Sequence, residues 1–220
     1  MTRGSVKNNR ANEATARVAA ILRAATTLFL RQGFERTTLA AILSRSGGSK
    51  ATLRKYFGNK AGLFAAVVTS ATEEFVATVE EPARDDDPLS ALNQIGVTVL
   101  SFYVRSDSLA AYRGVVSSGS HEPAMARAFY EKGHALVRSR IAQRLEAWHA
   151  RGLVRCADSV RDADLFLHLL RAGLYEQSLI GLSRSASRAD VRSTVSHAVN
   201  IFLYGISRGE AGRTVDIAGQ

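Results

Sequence analysis

The sequence predicts an all-α protein, with a small N-terminal three-helix domain and a larger C-terminal helical bundle. The chain of 220 residues contains only three prolines and few runs of β-branched residues. Apolar residues recur at three- and four-residue spacing along most of the chain, which is typical of amphipathic helices. The segment EPARDDDP at 81–88 brackets three aspartates with two prolines and indicates a domain boundary. We therefore expect one domain over residues 14–75 and another over 82–208.

The N-terminal part of the chain is expected to form four helices. The first carries an apolar stripe between Val18 and Phe29, and Gly33 is expected to end it. The next three helices are expected over about 39–46, 50–57 and 60–80. Each is preceded by a side chain that commonly caps a helix N-terminus, and these caps are Thr38, Ser49 and Asn59.

The C-terminal part is expected to form the bundle. Amphipathic segments separated by polar or glycine-bearing joints predict helices over about 89–105, 108–119, 123–151, 160–181 and 188–208. Residues 209–220 are rich in glycine and small residues, and we expect them to form a frayed tail.

Positive charge is concentrated at the N-terminal end. Residues 1–60 contain 12 lysines and arginines against two acidic residues, a net charge of +10, whereas residues 61–220 contain 17 against 18, a net of −1. A globular fold does not require this asymmetry, but a polyanionic partner such as nucleic acid would explain it. Arg3, Lys7 and Arg10 precede the first expected helix and are expected to form a basic arm that adds salt-dependent affinity.

The stretch from Arg36 to Lys60 has the pattern of a helix-turn-helix unit. Two short helices are joined at Gly47 and Gly48, and the second helix is too polar and basic to be part of a core. In such units the second helix lies in the major groove of DNA. The positive charge, the glycine turn and the capping residues occur together. This favours a DNA-binding unit over the alternative that the basic residues form only a solvated helical surface.

Residues 33–64, GFERTTLAAILSRSGGSKATLRKYFGNKAGLF, resemble the DNA-binding domain of the TetR family of bacterial transcriptional regulators. They carry the family's Gly-aromatic pair, its two hydroxyl residues, and its Gly-x-Ser-Lys, small-Thr-Leu, Tyr-Phe and Asn-Lys motifs. Residues 122–155 are similar to the ligand-binding domain of AefR-like repressors. The resemblance implies a homodimer that represses transcription and that a small-molecule effector releases from a near-palindromic operator in double-stranded DNA.

Three residues depart from the family pattern. Gly48 stands where an apolar residue usually holds the turn to the core, so we expect it to loosen the turn. Arg54 stands where an aromatic residue is usual, and Lys55 replaces a frequent histidine. Both add charge on the DNA side.

Base recognition is expected from the outward face of the 50–57 helix. Its expected anchors to the other helices are Leu53, Tyr56 and Phe57. Lys50 and Arg54 lie four residues apart on one face and can reach guanine edges. Ala51 and Thr52 can place methyl groups against thymine.

Contacts to the DNA backbone follow from the resemblance, which implies that Thr37, Thr38 and Lys60 bind phosphates. Lys60 opens a helix, where unpaired N–H groups and the helix dipole also favour an anion. Tyr56 can pack its ring on the core and donate its hydroxyl to a phosphate. The expected DNA-binding residues are Thr37, Thr38, Ser49, Lys50, Ala51, Thr52, Arg54, Lys55, Tyr56 and Lys60.

Aromatic residues are spread over several helices of the C-terminal part. They either fill the core or line an effector cavity, and both interpretations stay open for any single ring. The resemblance favours a cavity somewhere in this domain. The candidate pocket residues are Phe75, Phe102, Tyr103, Tyr112, Phe129, Trp148, Phe166 and Tyr175.

The last two expected helices carry apolar stripes that are wider than one core-facing seam requires. Pairing two copies of the chain into a four-helix interface would bury the surplus, and Gly173 would permit close backbone approach. A dimer would also hold two reading helices ~34 Å apart, the spacing of successive major grooves. The candidate interface residues are Phe166, Leu170, Gly173, Leu174, Gln177, Val195, Val199 and Phe202.

The expected switch is conformational. Effector binding among the helices of 89–181 is expected to move the long 60–80 helix, which leads directly into the DNA-binding domain. The two reading helices would then no longer match the groove spacing, because the effector prefers the DNA-incompetent arrangement.

Nothing in the sequence is typical of an enzyme. The five histidines do not pair at i+3 or i+4, so a helical metal site is not expected. Cys156 lacks a catalytic context, and phosphate-loop and dinucleotide fingerprints are missing. We expect no enzyme activity, no metal and no cofactor. The alternatives are an architectural DNA-binding protein without an effector and, less favoured, a small-molecule-binding protein or enzyme with an incidental basic head.

Cysteine content and hydropathy indicate the compartment. A single cysteine excludes an internal disulfide and a thiolate zinc site. No apolar run reaches the ~20 residues of a membrane span, and the N-terminus lacks the apolar segment of a signal peptide. We expect a cytoplasmic protein without a membrane partner.

Overall fold

The computed structural model describes residues 3–79, 86–183 and 186–205, and these residues form helices and connecting turns without a strand. The helices are α1 (Arg3–Arg36), α2 (Leu39–Ser46), α3 (Lys50–Phe57), α4 (Lys60–Val79), α5 (Pro88–Tyr103), α6 (Ser106–Ser118), α7 (Pro123–Phe129), α8 (Ala135–Ala150), α9 (Ser159–Arg171), α10 (Leu174–Leu179) and α11 (Arg188–Tyr204). One turn of π-helix, Tyr130–His134, joins α7 to α8. The prediction of an all-α fold is confirmed.

The predicted caps of the N-terminal helices are confirmed. Thr38 Oγ1 accepts a hydrogen bond from the backbone N–H of Ala41 at 3.1 Å. Ser49 Oγ accepts one from Thr52 at the same 3.1 Å, and Asn59 Oδ1 accepts one from the N–H of Gly62 at 2.9 Å. Each side chain thus satisfies an N–H group that the first helical turn leaves unpaired.

The first helix differs from the prediction at its start. Its backbone is helical from Arg3, so the residues predicted to form a separate basic arm lie on α1 itself. The sequence contains no proline before Pro82, so no proline prevents the helix from extending back to Arg3. At the other end, Gly33 has φ +79° and ψ 172°, which breaks the helical geometry where the sequence predicts the end of the helix.

Two predicted helices of the C-terminal part are interrupted. The 123–151 segment contains the π-helical turn, and the 160–181 segment is divided at Gly173, whose φ of +75° favours glycine. The helix predicted over 188–208 is α11, and the residues beyond 205, including the predicted tail, lie outside the described part. At the predicted boundary, Asp87 caps α5 and Pro88 is its first residue; residues 80–85 lie outside the described part.

Buried apolar residues form two clusters. The cluster of the head, by which we mean α1–α4, includes Ile21, Ile42, Leu53 and Leu63. The cluster of the body, α5–α11, is built mainly from α5, α8, α9 and α11. Met125 of α7 is fully buried and belongs to the head cluster, so the body supplies part of the core of the head.

Candidate DNA-binding face and effector site

Helix α3 presents its cations outward, away from the core. Leu53 is 2% exposed and fixes the orientation of the helix, while Phe57 is partly buried against the head cluster. The four residues predicted to face DNA are all exposed, and these are Lys50, Ala51, Arg54 and Lys55. Thr52, the second residue predicted to place a methyl group against thymine, is partly buried.

Tyr56 does not anchor α3 as predicted. Its side chain is 46% exposed, and the ammonium of Lys55 lies 5.4 Å from its ring centroid. The interpretation of Tyr56 as a core anchor is therefore wrong, because Leu53 and Phe57 suffice to hold the short helix. Its ring and hydroxyl lie on the same exposed side as the cations.

The threonine and serine hydroxyls of this region differ in whether they are accessible to a DNA phosphate. Thr37 is 1% exposed, and its hydroxyl donates to the carbonyl of Gly33 at 2.7 Å. The prediction that Thr37 binds a phosphate is wrong, because its hydroxyl stabilises the break after α1. Thr38 and Ser49 are exposed but already accept the capping hydrogen bonds, and Ser49 Oγ also lies 3.0 Å from Thr52 Oγ1.

Lys60 has a structural contact at the entrance of α4. Its Nζ donates to the carbonyl of Glu35 at 3.0 Å and lies 4.3 Å from the ring centroid of Phe34. Partial burial lowers the pKa of Lys60, and the negative charges of Glu122 and Glu35 oppose this change. Since an ammonium has three N–H donors, Lys60 can donate one to the backbone carbonyl of Glu35 and still offer the others to a phosphate.

The turn between α2 and α3 is tightly packed. Gly47 closes α2 with a left-handed φ of +66°. A Cβ added to Gly48 would lie 2.9 Å from two side-chain atoms of Ile21, which is completely buried. The expectation that Gly48 loosens the turn is therefore wrong: without a side chain, the turn approaches α1 more closely.

Six of the eight candidate pocket aromatics, three of them tyrosines, form a continuous row of ring contacts, which we call the tyrosine row. The consecutive centroid distances are 4.6 Å for Phe75–Phe102, 6.4 Å for Phe102–Tyr103, 5.8 Å for Tyr103–Tyr175, 6.0 Å for Tyr175–Tyr112 and 6.0 Å for Tyr112–Phe129. Trp148 and Phe166 lie outside this row and are completely buried, so they fill the body core rather than line a pocket.

Arg171 lies among three tyrosines of this row. Its guanidinium carbon is 4.9 Å from the ring centroid of Tyr103, 5.9 Å from that of Tyr112 and 5.4 Å from that of Tyr175. Burial raises the pKa of Tyr175 to about 12, so its hydroxyl is un-ionised at neutral pH. Sequence reasoning did not single out Arg171, although an arginine directly after Leu169 and Leu170 in an apolar stripe was a usable signal.

A histidine–aspartate pair adjoins this cluster. Nε2 of His134 lies 2.8 Å from Oδ1 of Asp164, and Arg138 lies 3.6 Å from the other oxygen. Burial raises the pKa of Asp164, but the hydrogen bond from His134 and the nearby cations outweigh it and keep the pKa below its ordinary value. Burial lowers the pKa of His134, so Nε2–H of the neutral ring donates and Nδ1 has the lone pair.

The predicted dimer stripe is largely internal to one protomer. Four of its residues are completely buried, namely Phe166, Leu170, Val195 and Val199. A Cβ added to Gly96 of α5 would meet three of these side chains within 3.6 Å, because α5 packs directly on this stripe. Their assignment to the dimer interface is therefore wrong.

The remaining residues of the stripe are more accessible. Gly173 and Gln177 are exposed, Leu174 and Phe202 are partly buried, and Leu165 on α9 is 54% exposed.

A cavity of about 480 Å³ lies elsewhere in the body. Its lining includes Leu145, Val154, Cys156, the start of α5 and the end of α11, and it shares no residue with the tyrosine row. Cys156 is buried and donates to Asp162 Oδ2 at 3.0 Å. Burial and this hydrogen bond raise its pKa to about 12, which makes the thiol unreactive.

Comparison with known proteins identifies the family. The family described as bacterial regulatory proteins, tetR family, matches residues 21–67, which contain the helix-turn-helix unit. The family described as AefR-like transcriptional repressor, C-terminal domain, matches residues 90–205, more than half of the chain. The chain belongs to the TetR family.

Individual relatives agree with this assignment. The chain is 34% identical to the HTH-type transcriptional regulator RutR of Escherichia coli K12 over 96 residues, which are 43% of this chain and 45% of RutR. The match thus spans less than half of the length of that relative. The flavonoid-responsive regulator FrrA is 30% identical, with a TM-score of 0.72 over 84% of this chain and 94% of that one.

A TetR-family structure from Mesorhizobium loti supports the fold alone, with 23% identity, a TM-score of 0.74, and coverage of 86% of this chain and 96% of that one. TetR-family regulators bind DNA, dimerise and respond to small-molecule effectors. This family membership accounts for the arrangement of a basic helix-turn-helix head on a helical body.

The head and body of this TetR-family chain share a packed junction. Helix α6 packs on α1, and α7 packs on α4. Phe129, at the end of the tyrosine row, packs against the head cluster together with Met125 and Val115. Sequence reasoning predicted only α4 as the connection, since the packing of α6 and α7 on the head is a tertiary contact.

Other classes of site receive no support from the described ranges. Among those residues, no group of three or more histidine, cysteine or acidic side chains is placed to hold a metal ion. His168, interpreted as a core or pocket histidine, is exposed instead, and its Nδ1 donates to the carbonyl of Asp164 at 2.7 Å. No helix in the described part of the chain is long and apolar enough to cross a membrane.

Proposed function

We propose that this protein is a dimeric transcriptional repressor that binds a near-palindromic DNA operator through α3 and leaves it when a small-molecule effector binds the body. The observation that carries the proposal is the outward-facing, cationic α3 behind a capped, tightly packed turn. The net charge of +10 in residues 1–60 supports an anionic duplex as its partner.

In this proposal Lys50 and Arg54 read bases, and Ala51 contacts thymine methyl groups. Lys55 and Tyr56, exposed beside them, bind the DNA backbone together with Lys60. Thr38, Ser49 and Thr52 contribute mainly by fixing the start of α2 and α3, because their hydroxyls are engaged there.

We assign DNA binding to residues 14–75 and effector binding and dimerisation to residues 82–208. The accessible positions of the last helices, including Leu165, Gly173 and Gln177, are the proposed surface for the second protomer. A four-helix interface would cover these positions, and two-fold symmetry would match a palindromic site.

An aromatic effector suits the row of rings in the body. Tyr103, Tyr112 and Tyr175 offer ring faces and edges to a planar ligand. The related regulator FrrA is described as flavonoid-responsive, which also supports an aromatic effector here.

The proposed switch acts through the junction between body and head. A ligand that separates Tyr112 from Phe129 would move α6 and α7, and both pack on the head. The orientation of α3 would then change with α1 and α4. Only a difference in effector affinity between the two arrangements is needed, typically ~1–3 kcal/mol.

A gel-shift experiment tests the proposal. The purified chain is titrated against DNA from upstream of its own gene and against random duplex, at several salt concentrations. We expect tight, salt-sensitive binding with a preference for the upstream DNA. Salt-insensitive behaviour or no retention of any duplex at low salt would exclude the proposed function, and equal affinity for both duplexes would favour an architectural role. Sedimentation as a monomer at micromolar concentration would exclude the dimer.

A further inference from the structure

We propose that the effector is a small aromatic acid that also carries a ring hydroxyl, and that Arg171, Tyr103 and His134 bind its polar groups. The inference deepens the proposed function and rests on it only in calling this ligand the effector.

Three buried polar atoms in the body lack hydrogen-bond partners. They are Tyr103 Oη, His134 Nδ1 and Arg171 Nε, and no other described side chain has such an atom. They come from α5, the π-helical turn and α9, which are far apart in sequence. Leaving a buried polar atom unpaired is unfavourable, and native proteins contain few such atoms.

These atoms belong to one electrostatic cluster. The guanidinium carbon of Arg171 lies 4.9 Å from the ring centroid of Tyr103. Its charge and a polar side-chain contact with the Tyr103 hydroxyl both oppose the rise that burial causes in the pKa of Tyr103, and the same charge lowers the pKa of His134. One unpaired atom on this cation, and one on each of the two groups that its charge affects, indicate a site that a ligand completes.

The cation itself needs an anion. Arg171 makes no ion pair with any described carboxylate, since the carboxylate of Asp164 is engaged by His134 and Arg138. The three tyrosine rings stabilise the partly buried guanidinium but do not neutralise its charge. A carboxylate matches its planar donors and gains a strong, charge-assisted hydrogen bond.

The donor and acceptor pattern specifies the rest of the ligand. Arg171 Nε–H and Tyr103 Oη–H both donate to an anionic oxygen, whereas Nδ1 of neutral His134 accepts and therefore needs a ligand O–H. The tyrosine rings that surround Arg171 provide aromatic surroundings that suit a flat aromatic body. A phenolic acid has all three features.

Binding is tested by calorimetry without DNA. The probes are 4-hydroxybenzoate, 2-hydroxybenzoate and 4-hydroxycinnamate, with 4-hydroxybenzamide as a neutral control and benzoate as a control without the hydroxyl. We expect at least one phenolic acid to bind roughly 10–100-fold more tightly than the amide, as for a hydrogen bond to a charged group. Benzoate should bind more weakly than the hydroxylated acid.

Two variants locate the site. Tyr103→Phe and Arg171→Gln should each weaken binding of the acid by about tenfold or more. Arg161→Gln, on the exposed side of α9, and Tyr204→Phe, at the other cavity, should leave it unchanged. Because Tyr103→Phe removes an unpaired buried hydroxyl, its melting temperature without ligand should stay equal or rise, which a purely structural role would not produce.

Several outcomes would overturn the inference: no phenolic acid binds, the amide binds as tightly as the acid, or Tyr103→Phe leaves the affinity unchanged. If Arg171→Gln does not fold, Tyr103→Phe decides alone. Loss of binding in Tyr204→Phe but not in Tyr103→Phe would place the ligand in the cavity beside Cys156 and also reject the proposal.

Failure of this inference is distinguishable from failure of the proposed function. If a neutral compound releases the operator DNA and no phenolic acid binds, the assignment of an aromatic acid as effector is rejected and the proposed repressor function stands. If the chain binds the acid but retains no DNA duplex, the ligand assignment stands and the repressor function is rejected.

Discussion

Nε of Arg113 donates a hydrogen bond to the carbonyl oxygen of Leu179 over 2.6 Å. Nη2 of the same guanidinium donates to the adjacent carbonyl, that of Ser178, at 2.8 Å. Arg113 lies on α6, which packs on α1 of the head, and Leu179 ends α10, which carries Tyr175. This contact therefore connects the tyrosine row to the DNA-binding head.

Replacing Arg113 tests this connection. Arg113→Ala removes both hydrogen bonds from the carbonyl end of α10, where a cation is also favoured by the helix dipole. We expect a stability loss of only about 1 kcal/mol, because the side chain is exposed, but clearly faster amide hydrogen exchange in α10. Effector-induced release of DNA should weaken as well. Arg161→Ala is the matched control, and unchanged exchange in α10 would contradict the prediction.

The division of labour on α3 is tested by DNA affinity. Lys50→Ala and Arg54→Ala should each cost ~1–3 kcal/mol on the operator and relax base preference at one position. Lys60→Ala should weaken binding to all sequences alike, and should also lower the stability of the head because Nζ holds the carbonyl of Glu35. Fluorescence anisotropy on cognate and random duplexes separates these effects. Equal losses on both duplexes for all three variants would refute the assignment.

The close contact between Gly48 and Ile21 predicts that a methyl group is not tolerated at the turn. Gly48→Ala should lower the free energy of unfolding by ~1–3 kcal/mol, as expected for overpacking beside a fully buried side chain. Gly114→Ala is the control, because an added Cβ at Gly114 on α6 meets nothing within 4 Å. It should raise stability by roughly 0.5–1 kcal/mol. Urea titrations of both variants provide the measurement, and a neutral or stabilising Gly48→Ala would disprove the packing argument.

The raised pKa of Cys156 predicts an unreactive thiol. With a pKa of about 12 against an ordinary value of 9.0, the native thiol should react with iodoacetamide far more slowly than the urea-unfolded chain between pH 7 and 9. Because the folded pKa is higher, this group favours the folded state fully below about pH 9, and its contribution is lost as the pH rises toward 12. Equal labelling rates in the native and unfolded chain would contradict this prediction. Mass spectrometry of the labelled peptide gives the rates.

The head was predictable because its determinants are local. Capping side chains, the Gly47–Gly48 turn and the amphipathic stripe act over a few residues, so spacing alone places α2 and α3. Solvent exposure of individual side chains was less predictable. Thr37 is buried by its hydrogen bond to the carbonyl of Gly33, and Tyr56 is exposed because Leu53 already anchors its short helix.

The body was predictable in class but not in detail. Apolar spacing identifies its helices, but it cannot show that Phe166 and Val195 face α5 rather than a second protomer. The cluster around Arg171 joins residues from separate helices, and only their distances reveal it. The π-helical turn likewise leaves no periodicity signal strong enough to distinguish it from a continuous helix.

The burial of Met125 in the head cluster has a consequence for how such regulators can be recombined. A chimera that exchanges the DNA-binding head between relatives could be made by cutting the chain after α4. In this protein such a cut would separate Ile21 and Leu63 from Met125, which belongs to the same buried cluster. The chimera that receives this head would then contain an apolar cavity. A graft that preserves both specificity and folding must therefore transplant α7, or a methionine-sized substitute, along with the recognition helix.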